Sequence, residues 1–322
     1  MHLKRLAALA VMSALAACGV RGTETNPDGT LSFSIAVTEP DITTVPILAA
    51  VDVVRQAGHK VEVVELAEPE LAIGGLAEGA YAISAEATSP ALSAIEQEAP
   101  IRIIADAIGN QWAIYGKSRV TCDELNGRPF GIFSRGAVAT AMTEEWVRTQ
   151  CTGDRKPEYL TIGGSDVRAQ ALVAGEIDAT ALELADVVAL ERSGDSAFAQ
   201  VVDFGKTLPD LRPQTVYANT AFLAEHRDVA QLFVSALVRE HARINADPRH
   251  LVNLVRTYLP EEEIGDVAEI AERSVKAGLF DAAGLTERNM QVTIDFFVRA
   301  GVIEPGMKAK DATDLSFIKA AA

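Results

Sequence analysis

Leu31 to Val37 (LSFSIAV) alternates apolar residues with small or polar ones at period two, which predicts a strand. Apolar residues then recur at 45, 48, 51 and 54, the spacing of a helix over 44–57, and Gly58 stands where that helix would be capped. The rhythm continues with a strand at 61–66 (VEVVEL), a helix at 69–78 stopping at Gly79, a strand at 81–85, a helix at 90–97 and a strand at 101–105 (IRIIA). It restarts downstream: strands at 128–133, 158–162, 177–182 and 199–204 alternate with helices at 138–151, 166–174 and 184–191. From Ala221 to Ala300 the pattern is mostly helical, broken at Pro248, Pro260 and Gly284. Strands alternating with helices imply an α/β fold with parallel sheets, and about 300 residues is large for one core, so two domains are expected.

The two halves echo each other. In GLAEGAYAISAEATSPAL and ALVAGEIDATALELADVV, Leu-x-x-Gly leads into a short strand, a Glu and a helix start, so that Gly79 matches Gly175 and Glu86 falls close to Glu183. Two lobes of similar topology account for the echo.

The first residues have a different texture. Lys4 and Arg5 precede an apolar run from Leu6 to Ala17, the length of a signal-peptide core and shorter than the roughly 20 residues that span a bilayer. Leu15-Ala-Ala-Cys18 follows, with Gly19 behind it, and resembles the bacterial lipoprotein box, in which the cysteine is acylated and becomes the new N-terminus. The alternative is an ordinary secretory signal that contains a cysteine. On the lipoprotein reading, residues 1–17 are a signal peptide and 18–30 are a lipidated Cys18 and a flexible tether, polar and marked by Pro27 and Gly29. The only contact with the membrane is then the N-terminal lipid. Removing residues 1–17 leaves 27 Lys+Arg against 45 Asp+Glu, a net charge of −18. So acidic a chain argues against nucleic-acid binding and for solubility.

Two cysteines remain, Cys122 and Cys151. An even number in an oxidising compartment suggests a disulfide. Cys122 lies before the strand at 128–133 and Cys151 ends the helix after it. A six-residue strand spans about 20 Å and a 14-residue helix about 21 Å, so the returning helix brings Cys151 towards Cys122. Two unrelated buried thiols are the alternative.

The order of motifs carries a family resemblance: an export signal, GxKVEVVEL, LxxGxxxI, IRIIA, then LNGRPFGIFSRGAVAT and LVAGEIDATAL. It resembles the substrate-binding proteins of ABC importers, most of all the nitrate, sulfonate, taurine and thiamine-precursor (pyrimidine) type. The first lobe departs from the pattern, with Ala82 where the second keeps Asp178. The resemblance implies a two-lobe periplasmic-binding-protein fold of type II, each lobe a mainly parallel sheet flanked by helices. It places crossovers near Trp112–Lys117 and Pro213–Tyr217. Lobe one would be 31–113 plus 217–322 and lobe two 114–216. It further implies a monomer in the cell envelope, no cofactor, a small-molecule solute, and partners in the permease subunits and their ATPase.

In open α/β sheets ligands bind beyond the carboxyl ends of the strands. Those positions offer Glu39 and Asp41, then Glu86 and Thr88, Trp112, Ser134-Arg135-Gly136, Glu183 and Tyr217. Carboxylates from both lobes suit an amine, an amidine-like heterocycle or several N–H donors; solvated rim charges are the competing explanation. Arg135 and the helix entry behind Gly136 suit an anion, so an aminosulfonate and an aminopyrimidine both stay open. Trp112 and Tyr217 could stack on a flat ligand. His59, His226, His241 and His250 form no metal spacing, and the chain has no P-loop, GxGxxG or GxSxG in a strand-to-helix context. An enzyme on the same fold and a ligand sensor for a membrane receptor are the remaining alternatives.

Overall fold

A computed structural model describes residues 22–38, 40–66, 69–117, 120–152, 156–193, 197–260 and 267–321. The expected signal peptide, Cys18 and Glu39 lie outside the described residues. The chain runs β1 (Thr23–Thr25), β2 (Leu31–Thr38), α1 (Val45–Gln56), β3 (Lys60–Leu66), α2 (Pro69–Ala77), β4 (Ile83–Ala87), α3 (Thr88–Glu96) and β5 (Ile101–Ile108). It continues with β6 (Ala113–Lys117), β7 (Pro129–Ile132), α4 (Val138–Gln150), β8 (Glu158–Thr161), α5 (Ser165–Ala174), β9 (Ala179–Leu182), α6 (Leu184–Arg192) and β10 (Phe198–Asp203). After α7 (Phe204–Thr207) and β11 (Gln214–Asn219) come α8 (Thr220–Glu225), α9 (Arg227–Ala246), α10 (Arg249–Tyr258), α11 (Val267–Lys276), α12 (Glu287–Arg299), α13 (Ala309–Ala312) and α14 (Ser316–Ala321).

Two sheets result. The first has the order β1-β2-β4-β11-β5, with β3 on the other edge of β2; the second has the order β10-β6-β9-β7-β8. In each sheet four strands share one direction and a strand leading out of a crossover opposes them: β11 is antiparallel to β4 and β5, and β6 is antiparallel to β9 and β10; in the first sheet β1 also opposes them. The sheets are therefore mixed, with the β2-β3, β2-β4, β7-β8 and β7-β9 pairs parallel. The period-two pattern of β2 buries Leu31, Phe33, Ile35 and Val37, and α1 covers the sheet with Ile47, Val51 and Val54.

Three expectations change. The crossovers are residues 109–112 and 204–213, because Ala113–Lys117 and Gln214–Asn219 pair into sheets. Both stretches (AIYGK and QTVYAN) are short and lack a period-two alternation that would mark them as strands. Glu86, expected in a loop after its strand, is inside β4. Nor is the tether free as far as residue 30. Thr23–Thr25 pairs antiparallel with Leu31–Phe33, Asn26 and Thr30 close the hairpin, and the Gly22 N–H donates to the Gly79 carbonyl at 2.7 Å.

The internal echo has a backbone counterpart. Gly79 and Gly175 both adopt left-handed conformations, at φ 76° and 78°, and each returns a hydrogen bond to the leucine three residues before it. A side chain would strain either turn. Cys122 and Cys151 are joined in a disulfide, with their Cα atoms 5.0 Å apart.

The helical tail packs mainly on the first sheet, α9 against α1 and α14 against β5. It also reaches the second lobe: Val188 of α6 is buried among Ile244, Leu251, Val255, Ile270 and Phe280. The crossovers are laced together. Asn110 Nδ2 donates to the carbonyls of Phe204 and Leu208, and the Phe204 N–H donates to the Trp112 carbonyl at 2.9 Å. A Cβ on Gly205 would lie 2.7 Å from the Asn110 carbonyl oxygen, so only glycine fits there. Among the described residues no helix is long and apolar enough to cross a membrane.

Candidate functional site

The carboxyl ends of β2, β4 and β9 face one another between the lobes. Asp41 follows β2 and folds its carboxylate back on the entry of α1, where Oδ1 accepts from the N–H and hydroxyl of both Thr43 and Thr44. Glu86 lies at the end of β4, partly buried, with its Oε1 accepting from the Ala87 N–H at 3.0 Å. Glu183 stands at the N-cap position of α6 without a side-chain capping bond, and its own N–H donates to Ser165 Oγ at 3.0 Å. Asp186 lies in the first turn of the same helix.

These acids share one electrostatic environment. Loss of water, then the charge of Asp41, pushes Glu86 up to about 8. Loss of water raises Glu183 well above the usual carboxylate range, and Asp41, Asp186 and Glu86 add to the effect. Asp186 is raised for the same leading reason. Like charges crowded in a site with little water favour the protonated forms. The same crowding favours any cation or strong N–H donor that enters.

Arg168, a cation in the field of Glu183 and Asp186, is already engaged. Arg168 of α5 is 1% exposed and donates to the carbonyls of Gly163 and Ala181 and to Thr180 Oγ1. Desolvation lowers it to about 10, against the pull of Glu183, so it stays charged at neutral pH. Its guanidinium lies 5.9 Å from the centre of the Trp112 ring. Gly163-Gly164-Ser165 thus serves Arg168 through the Gly163 carbonyl and Glu183 through the Ser165 hydroxyl.

The remaining expected positions divide. Trp112 is buried beside the first crossover, and its indole N–H has no partner. Tyr217 is fully buried on β11, with its hydroxyl in the field of Glu86 and Glu70. Thr88 is buried at the start of α3, its hydroxyl 3.1 Å from that of Thr215, the residue paired opposite Glu86. The Ser134–Gly136 turn forms a rim of the second lobe. Arg135 and Gly136 are exposed, and the Gly136 carbonyl accepts from Ser89 Oγ of the first lobe at 3.2 Å. Helix α4 starts two residues beyond Gly136, without a side-chain cap.

Sequence reasoning missed Asp186, Arg168 and Gln214. Asp186 was readable as the second acid of Glu183-x-x-Asp186, one helical turn on. Nothing in the local pattern marks Arg168 as buried, because only the carbonyls of Gly163 and Ala181 make that burial tolerable. Among the described residues, no three His, Cys, Asp or Glu side chains converge as metal ligands.

Two lobes on separate mixed sheets, joined by two crossovers with polar groups converging between them, define a periplasmic-binding-protein fold. The solved structures agree. The ligand-binding component of an ABC-type import system from Staphylococcus aureus, with zinc bound, aligns with a TM-score of 0.72 at 15% identity, over 90% of this chain and 98% of that one. The alkanesulfonate-binding protein SsuA from Xanthomonas axonopodis pv. citri, bound to MOPS, aligns at 0.67 and 16% identity, over 88% and 98%. A Candida albicans gene product described as having the generic periplasmic binding protein fold aligns at 0.65 and 12%, over 88% and 96%. Within this fold the chain belongs to the NMT1/THI5 like family, whose profile matches residues 54–250. A search of curated proteins finds no match.

Proposed function

We propose that this chain is the solute-binding component of an ABC importer, exported and held at the membrane by a lipid on Cys18, and that its solute is a small organic base of the aminopyrimidine kind. One observation carries the choice of ligand: both lobes bring carboxylates, Asp41 and Glu86 from one and Glu183 and Asp186 from the other, into a single poorly hydrated cluster. A base entering between the lobes neutralises acids on both sides and so draws them together. Trp112 offers a flat face and an unpaired N–H at the same place.

A sulfonate fits less well. Its charge would meet four carboxylates, while Arg135 stands exposed on the rim and Arg168 is held by backbone carbonyls. Transport rather than catalysis is supported by the family and by neighbours named for binding and import.

The test is a thermal-shift and calorimetric panel on the mature chain. Aminopyrimidines and alkylamines should raise the melting temperature, and taurine, alkanesulfonates and nitrate should not. Glu183→Gln should weaken the bound base at least tenfold, the scale of a charged hydrogen bond. Sulfonate binding that persists in Glu183→Gln would sink the choice of ligand. A Cys18→Ala chain that stays with the membrane fraction would remove the anchor.

A further inference from the structure

Arg168 carries a charge that its own contacts do not balance. Its side chain is 1% exposed, and every hydrogen bond it makes goes to a neutral group. Nε donates to Thr180 Oγ1 at 3.1 Å, Nε and Nη2 donate to the Ala181 carbonyl at 3.3 and 3.0 Å, and Nη1 donates to the Gly163 carbonyl. A buried charge is ordinarily paired. Here the acids that offset it stand further off: Glu183 first, then Asp186 of α6 and Asp166 of its own helix.

The same bonds tie together the segments that lead into the site. Gly163 lies in the loop after β8, two residues before Ser165, whose hydroxyl accepts from the Glu183 N–H. Thr180 and Ala181 lie on β9, three and two residues before Glu183. Thr180 Oγ1 in turn donates to the Gly131 carbonyl of β7 at 2.8 Å. One guanidinium thus joins the ends of β7, β8 and β9. The first lobe has no counterpart. With Gly79 set against Gly175, α2 and α5 begin together at Pro69 and Ser165, and Ala72, 0% exposed, falls where Arg168 stands.

We propose that Arg168 is a positioning residue for the ligand, acting through Glu183: its fork sets the strand end that carries this carboxylate, and its charge offsets that of the carboxylate until a base arrives. The inference rests on the reading of the site as one for an organic base, and gives the second lobe a device that the first lacks. The acids facing Glu183 are Asp186 on its own helix, Asp41 after β2 and Glu86 on β4. Each opposes its ionisation, as loss of water does, while Arg168 favours it.

The test is isothermal calorimetry on the mature chain from pH 5 to 9 with 4-amino-1-methylpyridinium, a flat base whose charge is permanent, so that any pH dependence belongs to the protein. The parent should bind more tightly as pH rises and the carboxyls ionise. Arg168→Gln should move the midpoint of that rise upward by roughly half a unit to one unit, less than for a carboxylate in contact with an arginine. Arg168→Lys keeps the charge and loses the fork; it should retain the parent's midpoint and bind severalfold more weakly throughout. Arg168→Met takes the place of Arg168→Gln if circular dichroism shows that the latter does not fold. An unmoved midpoint in the neutral variant, or an equal movement in Arg168→Lys, overturns the role of the charge. Undiminished affinity in Arg168→Lys overturns the role of the fork. Both results leave the site for a base standing. Failure of the parent to bind the probe at any pH overturns that site, and the role of Arg168 with it.

Discussion

Arg212 donates from Nη1 to Asp106 Oδ2 at 3.1 Å, tying the second crossover to the end of β5, and Asp106 is 1% exposed. The other carboxylate oxygen, Oδ1, is buried without a partner. Burial raises Asp106 to about 7 even though Arg212 pulls it down. A carboxyl raised in the folded state favours folding at pH values below its unfolded value of 3.8, and this advantage is lost as pH rises through about 7. Removing Arg212 leaves a buried charge uncompensated, at a cost of about 3 kcal/mol. Arg212→Ala should therefore lose much more stability at pH 8 than at pH 5, where Asp106 holds its proton. Chemical denaturation at the two pH values checks this, and equal losses would show that the charge is not the cause.

Glu86 follows the same sign, with burial again the leading cause and the charge of Asp41 adding to it. Its contribution to the unliganded protein is fully present below 4.5 and fades as pH rises through about 8. Glu86→Gln removes the ionisation. The variant should be more stable than the parent at pH 9, on the order of 2 kcal/mol after allowing for its partial exposure, and nearly equal to it at pH 5. It should also lose affinity for bases. Greater stability with weaker binding marks a residue held in place for the ligand, whereas a loss of stability at pH 9 would contradict the assignment.

His241 of α9 is buried edge-on to Phe280, with ring centroids 5.3 Å apart, and neither ring nitrogen has a partner. Burial lowers it from 6.5 to about 3. Here the sign reverses: the neutral ring suits the fold above 6.5, and that stability is lost as pH falls towards 3. His241→Phe should keep the aromatic contact and flatten the acid limb of the stability curve between pH 6 and 4. An unchanged acid limb would assign acid unfolding to other groups.

The scaffold was largely readable because alternation and 3.6-residue spacing report burial directly, as in 31–37 and 44–57. Glu86 and Glu183 were findable through the repeat that also pairs Gly79 with Gly175. The elements that escaped are those whose placement depends on distant partners. Ala113–Lys117 and Gln214–Asn219 become strands only because slots in the two sheets receive them, and Gln214 enters the site by that route. Arg168 reads as one more helical arginine until Gly163 and Ala181 supply its carbonyls. Arg135 shows the opposite case, a residue with suitable local chemistry whose helix entry stands at the rim.

The disulfide closes a 29-residue separation within the second lobe. A loop of that size contributes roughly 2–4 kcal/mol. Cys151→Ser, or reduction of the parent, should lower the stability of that lobe by about this amount. Hydrogen exchange should show the loss of protection centred on β7, α4 and β8, with β2, β4 and β5 little changed. Uniform loss across both lobes would mean that they unfold as one cooperative unit.

Helix α6 carries Glu183 and Asp186 at its start, and its far end is held by the tail. Arg273 of α11 donates across to Glu191 at 2.7 Å and within its own helix to Glu269, and the Tyr115 hydroxyl donates to Glu191 at 2.6 Å. Beneath them Val188 is completely buried among tail residues. The Arg273–Glu191 pair is about one-third exposed, so it contributes under about 1 kcal/mol; most of the attachment is the apolar contact. Val188→Asp buries a charge there and should detach α6 from the tail, opening the lobes. Small-angle scattering of the unliganded variant should show a larger radius of gyration, and binding of a base should weaken because part of the ligand's free energy now has to close the lobes. Arg273→Ala should produce the same change in smaller measure. An unchanged radius in Val188→Asp, with folding intact, would mean that the tail does not set the position of α6 and that closure is governed by the crossovers alone.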